Sequence, residues 1–292
     1  GVTKLPRYVV QKGTAATLDF AAVTAQAARI LKKFDKKLSD SCLGAAVKAW
    51  QWSFKNPTVL FRNPSGVSTG EYGDGNLNDE WMWAAAELLV TTGDRSYYKE
   101  IKGASVPSWN NVAMMAYYTL ARNGDQQAKN GILALADKLT SVDNAFHTIM
   151  GQSRSDFIWG SNSVAANQGM LLLSAYRIDP KKKYLDGALS NLDYILGRNA
   201  TGYCFITGIG TRSPLHPHHR PSEADGIAEP VPGLLAGGPN PGRQDKCNYP
   251  FTEPETAYVD DVCSYASNEI AINWNAPLVY LVNGLEALMG KR

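Results

Sequence analysis

The stretch Tyr258–Ala276, YVDDVCSYASNEIAINWNA, sets the carboxylates Asp260, Asp261 and Glu269 among Tyr258, Tyr265, Asn268, Trp274 and Asn275, then runs into an apolar segment. An acid that can protonate a leaving oxygen, beside flat rings and amides that hold sugars, is what glycosidic cleavage needs. The same residues also suit a plain helix start, with Ser267 or Asn268 as cap and Glu269 near the positive helix end. From Asn268 onward Ala271, Ile272, Ala276, Leu278, Val279, Leu281, Val282, Leu285 and Leu288 predict a helix that carries to the end of the chain.

Helical spacing also dominates upstream. Leu18, Ala21, Ala22, Ala25, Ala28, Arg29 and Ile30 are spaced for one face of a helix beginning near Thr17, and Lys32 and Lys33 suit its last turn. Ser39 reads as the cap of a second helix that stops at Asn56-Pro57, and Asn78–Thr92 reads as a third, ended by Gly93. Further helices are expected from near Pro107 to Gly124, and over Gln126–Leu139, Ser163–Tyr176 and Lys182–Leu196. About eight helices with almost no strand signal make an all-α array. Arg198–Asp261 interrupts it as a Gly- and Pro-rich loop, longer than compact domains keep without a purpose.

Bulk properties narrow the function classes. A net charge of +2 with scattered basic residues does not fit a nucleic-acid partner, and no run of eighteen apolar residues points to a membrane. Seven Trp and 14 Tyr against 8 Phe favour rings with a polar edge, which fill cores but also stack on carbohydrate. Cys42, Cys204, Cys247 and Cys263 are widely spaced, and free thiols or bridges are equally open readings. The chain starts GVTKLPRYVV, without a start methionine or signal-like segment, so it reads as a piece of something longer.

Within the long loop, Gly210–Arg220 holds His216, His218, His219, Arg212 and Arg220. Zinc is disfavoured for this cluster, because no CxxC or HExxH-like helix supplies the remaining ligands. The other readings are a solvated basic loop, or donors that bind sugar hydroxyls and steady a carboxylate.

Together the two segments resemble family 9 of the glycoside hydrolases. GIGTRSPLHPHHR is similar to the family's histidine signature at Gly210, Arg212, His218 and Arg220. Tyr258, Asp260, Tyr265, Glu269, Ala271, Asn275 and Ala276 match its acidic signature, and STGEYGDGNLNDEWMWAAAELLVTTGD, WGSN, NQGMLLLSAYR and YILGRNATGYCFITGIG look like other family segments. The resemblance implies an (α/α)6 barrel, a toroid of six helical hairpins, and hydrolysis of β-1,4-glucan with inversion, with endo attack as the leading reading. By it Glu269 is the general acid, Asp260 holds the site or contacts substrate, and His218 is the third catalytic position. Arg220, Tyr265, Trp274 and Trp159 are then substrate-binding, though core packing is the alternative for each Trp.

Inversion needs a second carboxylate roughly 6.5–9.5 Å from the acid, and the family's DAGD-type base motif does not occur in this sequence. The segment PRYVVQKGTAATLDFAAVTAQAARI resembles the family's sequence some distance downstream of that motif. Residues 1–292 are therefore expected to be roughly the C-terminal two-thirds of a catalytic domain, incomplete on its N-terminal side, with the base and a partner segment upstream. Thr69, Gly70, Glu71, Asp74, Asp79 and Glu80 offer the oxygens a hard cation takes, and the family often binds calcium at the matching segment, so structural calcium is expected alongside cofactor-free catalysis. The alternative for Asp79 and Glu80 is a favourable first helical turn.

Three other functions compete with an endo-glucanase: a cellobiohydrolase, an exo-glucosaminidase, and an inactive glucan-binding fragment. The expected partner is a β-glucan polysaccharide or cello-oligosaccharide, which places the enzyme outside the cytoplasm as a secreted, periplasmic or cell-surface protein. The sequon Asn199-Ala200-Thr201 is compatible with that placement.

Overall fold

A computed structural model describes residues 9–68, 70–141 and 143–290. Ten α-helices occur among them: α1 Thr14–Leu31, α2 Lys36–Lys55, α3 Asn78–Thr92, α4 Ala113–Arg122, α5 Gln126–Leu139, α6 Ser161–Ile178, α7 Lys182–Ile195, α8 Arg220–Ala224, α9 Tyr265–Asn268 and α10 Ile272–Met289. No strand forms among the described residues, so the expected all-α class holds. The chain divides into two compact units, one up to Gly131 and one from Ile132.

In the first unit α1 packs on α2 and α3, and α3 packs on α4. Ala21, Ala22, Ala49 and Ala84 let the helices approach closely and form the contact together with Leu18, flanked by Trp50, Trp81 and Trp83. Each fully buried leucine, such as Leu18 or Leu88, contributes about 2 kcal/mol. Buried Glu87 pins α1 to α3 and α4, pairing with Arg29 at 2.5 Å and accepting from Thr119. Asp35 is the true cap of α2, accepting from the Leu38 amide at 2.9 Å. Ser39 lies inside that helix, where its hydroxyl donates to the buried Ala28 carbonyl. The helix expected from Pro107 begins only at Ala113, because Ser108 and Asn111 pair in a turn that occupies the intervening backbone.

In the second unit α6 packs on α7 and α10. A Cβ added at Gly169 would lie 2.7 Å from Leu281, so glycine lets α6 and α10 meet. Leu171, Leu172 and Leu173 of α6 are buried, and truncating one of them to alanine costs about 3 kcal/mol. The long loop becomes ordered by pairing rather than by helix. Ile206 bridges Leu235, Ala236 bridges Ile270, and His218 bridges Glu269. Around these bridges Phe205, Leu235, Ala236, Tyr258 and Trp274 build a core with Ala165 and Ala166 of α6.

The last expected helix is broken. α9 ends at Asn268, Glu269 is extended at φ −69° and ψ 151°, and α10 starts after extended Ala271. The cause lies elsewhere in the chain, because the Asn268 carbonyl accepts from the His218 amide and Ile270 pairs with Ala236.

Candidate active site

Glu269 stands in the gap between α9 and α10, half-buried, with the indole Nε1–H of Trp159 donating to its Oε2 at 3.2 Å. Burial raises its carboxyl above the ordinary glutamate value, while the Trp159 hydrogen bond and the nearby His218 charge pull it back. His218 donates from Nδ1 to the Val262 carbonyl at 2.6 Å, since a carbonyl can only accept, and this leaves Nε2 free to meet a ligand. Trp159 and Tyr265 lie 5.5 Å apart and tilted by 33°, and His218 approaches Tyr265 at 6.0 Å. Both aromatic rings are partly exposed, as a stacking surface must be.

Asp260 sits behind this group. Its Oδ2 accepts from the Leu215 amide at 2.8 Å, and its Oδ1 accepts from the His216 amide at 2.9 Å and Asn268 Nδ2 at 3.1 Å. These three bonds fit the geometry-holding half of the reading given to Asp260 and occupy most of its acceptor sites. Buried Asn268 completes the clamp, accepting from Tyr258 Oη and donating to the His216 carbonyl. Arg220 opens α8 and is exposed.

Trp274 is not a platform. It is only 7% exposed, and a Cβ at Gly160 would lie 2.6 Å from its Nε1. Gly160, at φ +79°, is therefore needed for both its turn and its contact with this core indole. Asn199 is likewise unsuited to a glycan, because its buried amide donates to the Tyr194 and Tyr203 carbonyls at 2.7 and 2.9 Å. Cys247 and Cys263 form a disulfide, whereas Cys42 and Cys204 are free. A cavity of about 280 Å³ lined by Gly151, Phe157, Pro254 and Thr256 contains none of these site residues.

Sequence reasoning missed Asp245. Its carboxylate gathers Tyr249 Oη, Ser264 Oγ and the Ala266 and Cys247 amides. The partners at the start of α9 are 19 and 21 residues away, and no periodic pattern marks such a contact.

The first unit carries the acidic segment. Thr69 lies outside the described residues. Gly70 lies against the Tyr72 ring, and Asp74 accepts from the Asn76 amide. Glu71 is taken by Arg62 and the Asn63 amide. Asp79 accepts from the Val112 amide through Oδ2, while its Oδ1, Glu80 Oε2 and Asp19 Oδ1 are buried without a hydrogen-bond partner. Burial, followed by the charges of Asp79 and Asp74, pushes Asp19 up to about 6; burial first, and then Asp79, Asp19 and Asp74, pushes Glu80 up to about 8. No three His, Cys, Asp or Glu side chains among the described residues converge closely enough to hold a metal ion by themselves.

Paired helices, with a half-buried acid between a histidine and two exposed rings, define a helical-hairpin protein of the glycoside hydrolase class. The chain belongs to glycosyl hydrolase family 9, whose model matches residues 2–282. It is 43% identical over 313 residues to the xyloglucan-specific endo-β-1,4-glucanase of Bacteroides ovatus, covering 98% of this chain and 53% of that protein. It is 36% identical over 297 residues to endoglucanase D of Acetivibrio thermocellus, covering 95% of this chain and 45% of that one. A solved structure of AaCel9A in complex with cellobiose-like isofagomine matches with a TM-score of 0.84 at 34% identity, over 96% of this chain and 56% of that chain. The structural neighbours carry the (α/α)6 barrel fold, and the helices of this chain are of that class. The chain spans about half the length of these relatives.

Proposed function

We propose that this chain carries the acid half of an inverting endo-β-1,4-glucanase site, with Glu269 protonating the departing glycosidic oxygen. The observation that carries the reading is the placement of Glu269: half-buried, raised in pKa, and flanked by the exposed rings of Trp159 and Tyr265 and by His218. Burial favours the protonated form that a general acid needs. The rings present faces for sugar stacking, and His218 Nε2 and Arg220 supply hydroxyl contacts. Because Asp260 is held by backbone amides, the water-activating carboxylate is assigned to a residue outside this sequence.

Identity to a xyloglucan-specific relative supports assaying xyloglucan beside unbranched glucan. The test is turnover of both soluble polymers by a protein holding this chain within its whole catalytic domain. Viscosity falling ahead of sugar release, and loss of both with Glu269→Gln, is the expected result. Undiminished turnover by that variant would remove Glu269 from the role, while binding without cleavage would make the site a lectin-like one. Residues 1–292 alone are expected to show little or no turnover, and efficient cleavage by them would overturn the outside assignment of the base.

The acidic segment is proposed to bind structural calcium. The support is that Asp79 Oδ1 and Glu80 Oε2 are buried without donors near Asp19, and since these side chains do not converge on one point, backbone carbonyls of the segment would have to supply most of the oxygens a hard cation takes. A bound cation would replace the protons that crowding otherwise forces onto these acids. A chelator should lower the melting temperature, and calcium alone should restore it; an unchanged melt would sink the idea. An extracytoplasmic location, secreted, periplasmic or cell-surface, is proposed with it. The Cys247–Cys263 bridge suits an oxidising compartment, and the polymeric substrate lies outside the cell.

A further inference from the structure

The backbone around Asp245 is unusual. Only four non-glycine residues among those described have positive φ, and two of them, Arg243 at 42° and Lys246 at 63°, flank the Gln244-Asp245 pair. Neither type favours that conformation, and such strain persists only where surrounding contacts over-determine it. Here the contacts are plain. Asp245 Oδ2 accepts from Tyr249 Oη at 2.8 Å, Ser264 Oγ at 2.8 Å and the Ala266 amide at 2.9 Å, and Oδ1 accepts from the Cys247 amide at 3.1 Å. The Gln244 carbonyl accepts from Tyr265 Oη at 3.0 Å. Asn240 braces the pair from behind, donating to both Gln244 Oε1 and the Ala266 carbonyl.

We infer that Asp245 is a positioning residue for the candidate acid: the Gln244-Asp245 pair is a strut under α9 that fixes the Tyr265 ring and aims Glu269 at Trp159 and His218. The path is short and continuous. Asp245 holds Ser264 and Ala266, and Ser264 bonds Ser267 Oγ at 2.8 Å. Asn268 is next, locked by Tyr258 and Asp260, and Glu269 adjoins it. Burial and the donors together set the state of the strut: burial raises the Asp245 carboxyl, but the Cys247 and Ala266 amides and the Tyr249 and Ser264 hydroxyls outweigh it, so the group is held below its ordinary value and charged. Removing it leaves those donors facing one another with no acceptor, and it loosens the start of a helix only four residues long.

The inference rests on Glu269 being the protonated group of the site, but its test does not depend on hydrolysis. The indole N–H resonance of Trp159 reports the charge of Glu269 through their hydrogen bond, and is assigned as the signal missing from Trp159→Phe. In the unaltered chain it should titrate above the ordinary glutamate range, and Glu269→Gln should abolish that step. His218→Gln removes the neighbouring charge that acts on Glu269, so a step that survives in that variant belongs to Glu269.

Asp245→Asn, which keeps the side chain's size, and Tyr249→Phe, which removes one donor, should each loosen α9 and let water reach Glu269 while its bond to Trp159 still reports it. The midpoint should then fall, by about 0.5 pH unit or more for Asp245→Asn. Leu172→Ala, which thins the α6 core, should lower the melting temperature without moving the midpoint. An unmoved midpoint in folded Asp245→Asn and Tyr249→Phe, or an equal move in Leu172→Ala, would overturn the inference. Absence of glucan turnover with these shifts intact would count against the proposed activity alone.

Discussion

Glu269 is a carboxyl under opposed influences, and their signs can be separated by mutation. Burial favours the neutral form, while the Trp159 indole donor and the His218 charge favour the anion. A general acid works while protonated, so its rate falls as pH rises through its pKa. Trp159→Phe keeps an aromatic face but deletes the donor, so the pKa should rise further and the alkaline limb of kcat should move to higher pH. The check is a pH–rate profile in the complete catalytic protein, and a limb that stays put or moves down would show that the bond has no hold on the proton. At this scale the candidates Glu269, His218 and Asp260 could be picked out because their segments are dense in unusual residues. The division of labour between the two tryptophans was not. Trp159 and Trp274 are indistinguishable as letters, and only the contact with Gly160 shows that Trp274 is core while Trp159 faces outward.

Elements whose stability is local were read from the sequence, and those set by distant partners were not. α3, α5 and α7 lie within a residue of where apolar spacing and end signals put them, since their periodicity and terminal residues act within one turn. The gap at Glu269–Ala271 escaped because its cause, pairing with His218 and Ala236, lies over thirty residues away, with no trace in the local pattern. The Cys247–Cys263 bridge belongs with these non-local devices. It closes a loop with a sequence separation of 16, and Val262, beside Cys263, supplies the carbonyl that fixes the His218 ring. Replacing both cysteines by serine should cost about 3 kcal/mol of unfolding free energy in the chain-entropy account. Denaturant titration of the variant, compared with the unaltered chain before and after reduction, checks this. Equal midpoints for oxidised protein and variant would mean that the loop is held by its hydrogen bonds alone.

At the scale of the whole molecule, each unit keeps an apolar helix face in solvent. On α1 the buried face holds Leu18, Ala21, Ala22, Ala25 and Ala28 as spacing predicted, but Ile30, expected on that face, lies round the helix and lines up with Phe20 and Val23 on the other side, the three at 56%, 51% and 50% exposure. On α10 Leu278, Leu281 and Leu285 are buried, whereas Ile272, Val279 and Val282 are exposed. A helix apolar on every side is normally enclosed, and contiguous exposed apolar surface marks a place where something docks. Sequence could not separate the two faces of α10, because both are written in the same aliphatic residues and only the packing partner distinguishes them. Purified residues 1–292 should therefore bind an apolar dye and self-associate as concentration rises. Val23→Glu on α1 and Val279→Glu on α10 should each weaken both effects without loss of helix, because the substituted carboxylates enter solvent-facing positions. In the complete catalytic protein the dye response should fall and the same substitutions should become destabilising, as burying a lone charge requires. Sedimentation, dye fluorescence and thermal melts on both forms decide it, and a monomeric, dye-silent chain would show that these faces are ordinary solvent-exposed surface.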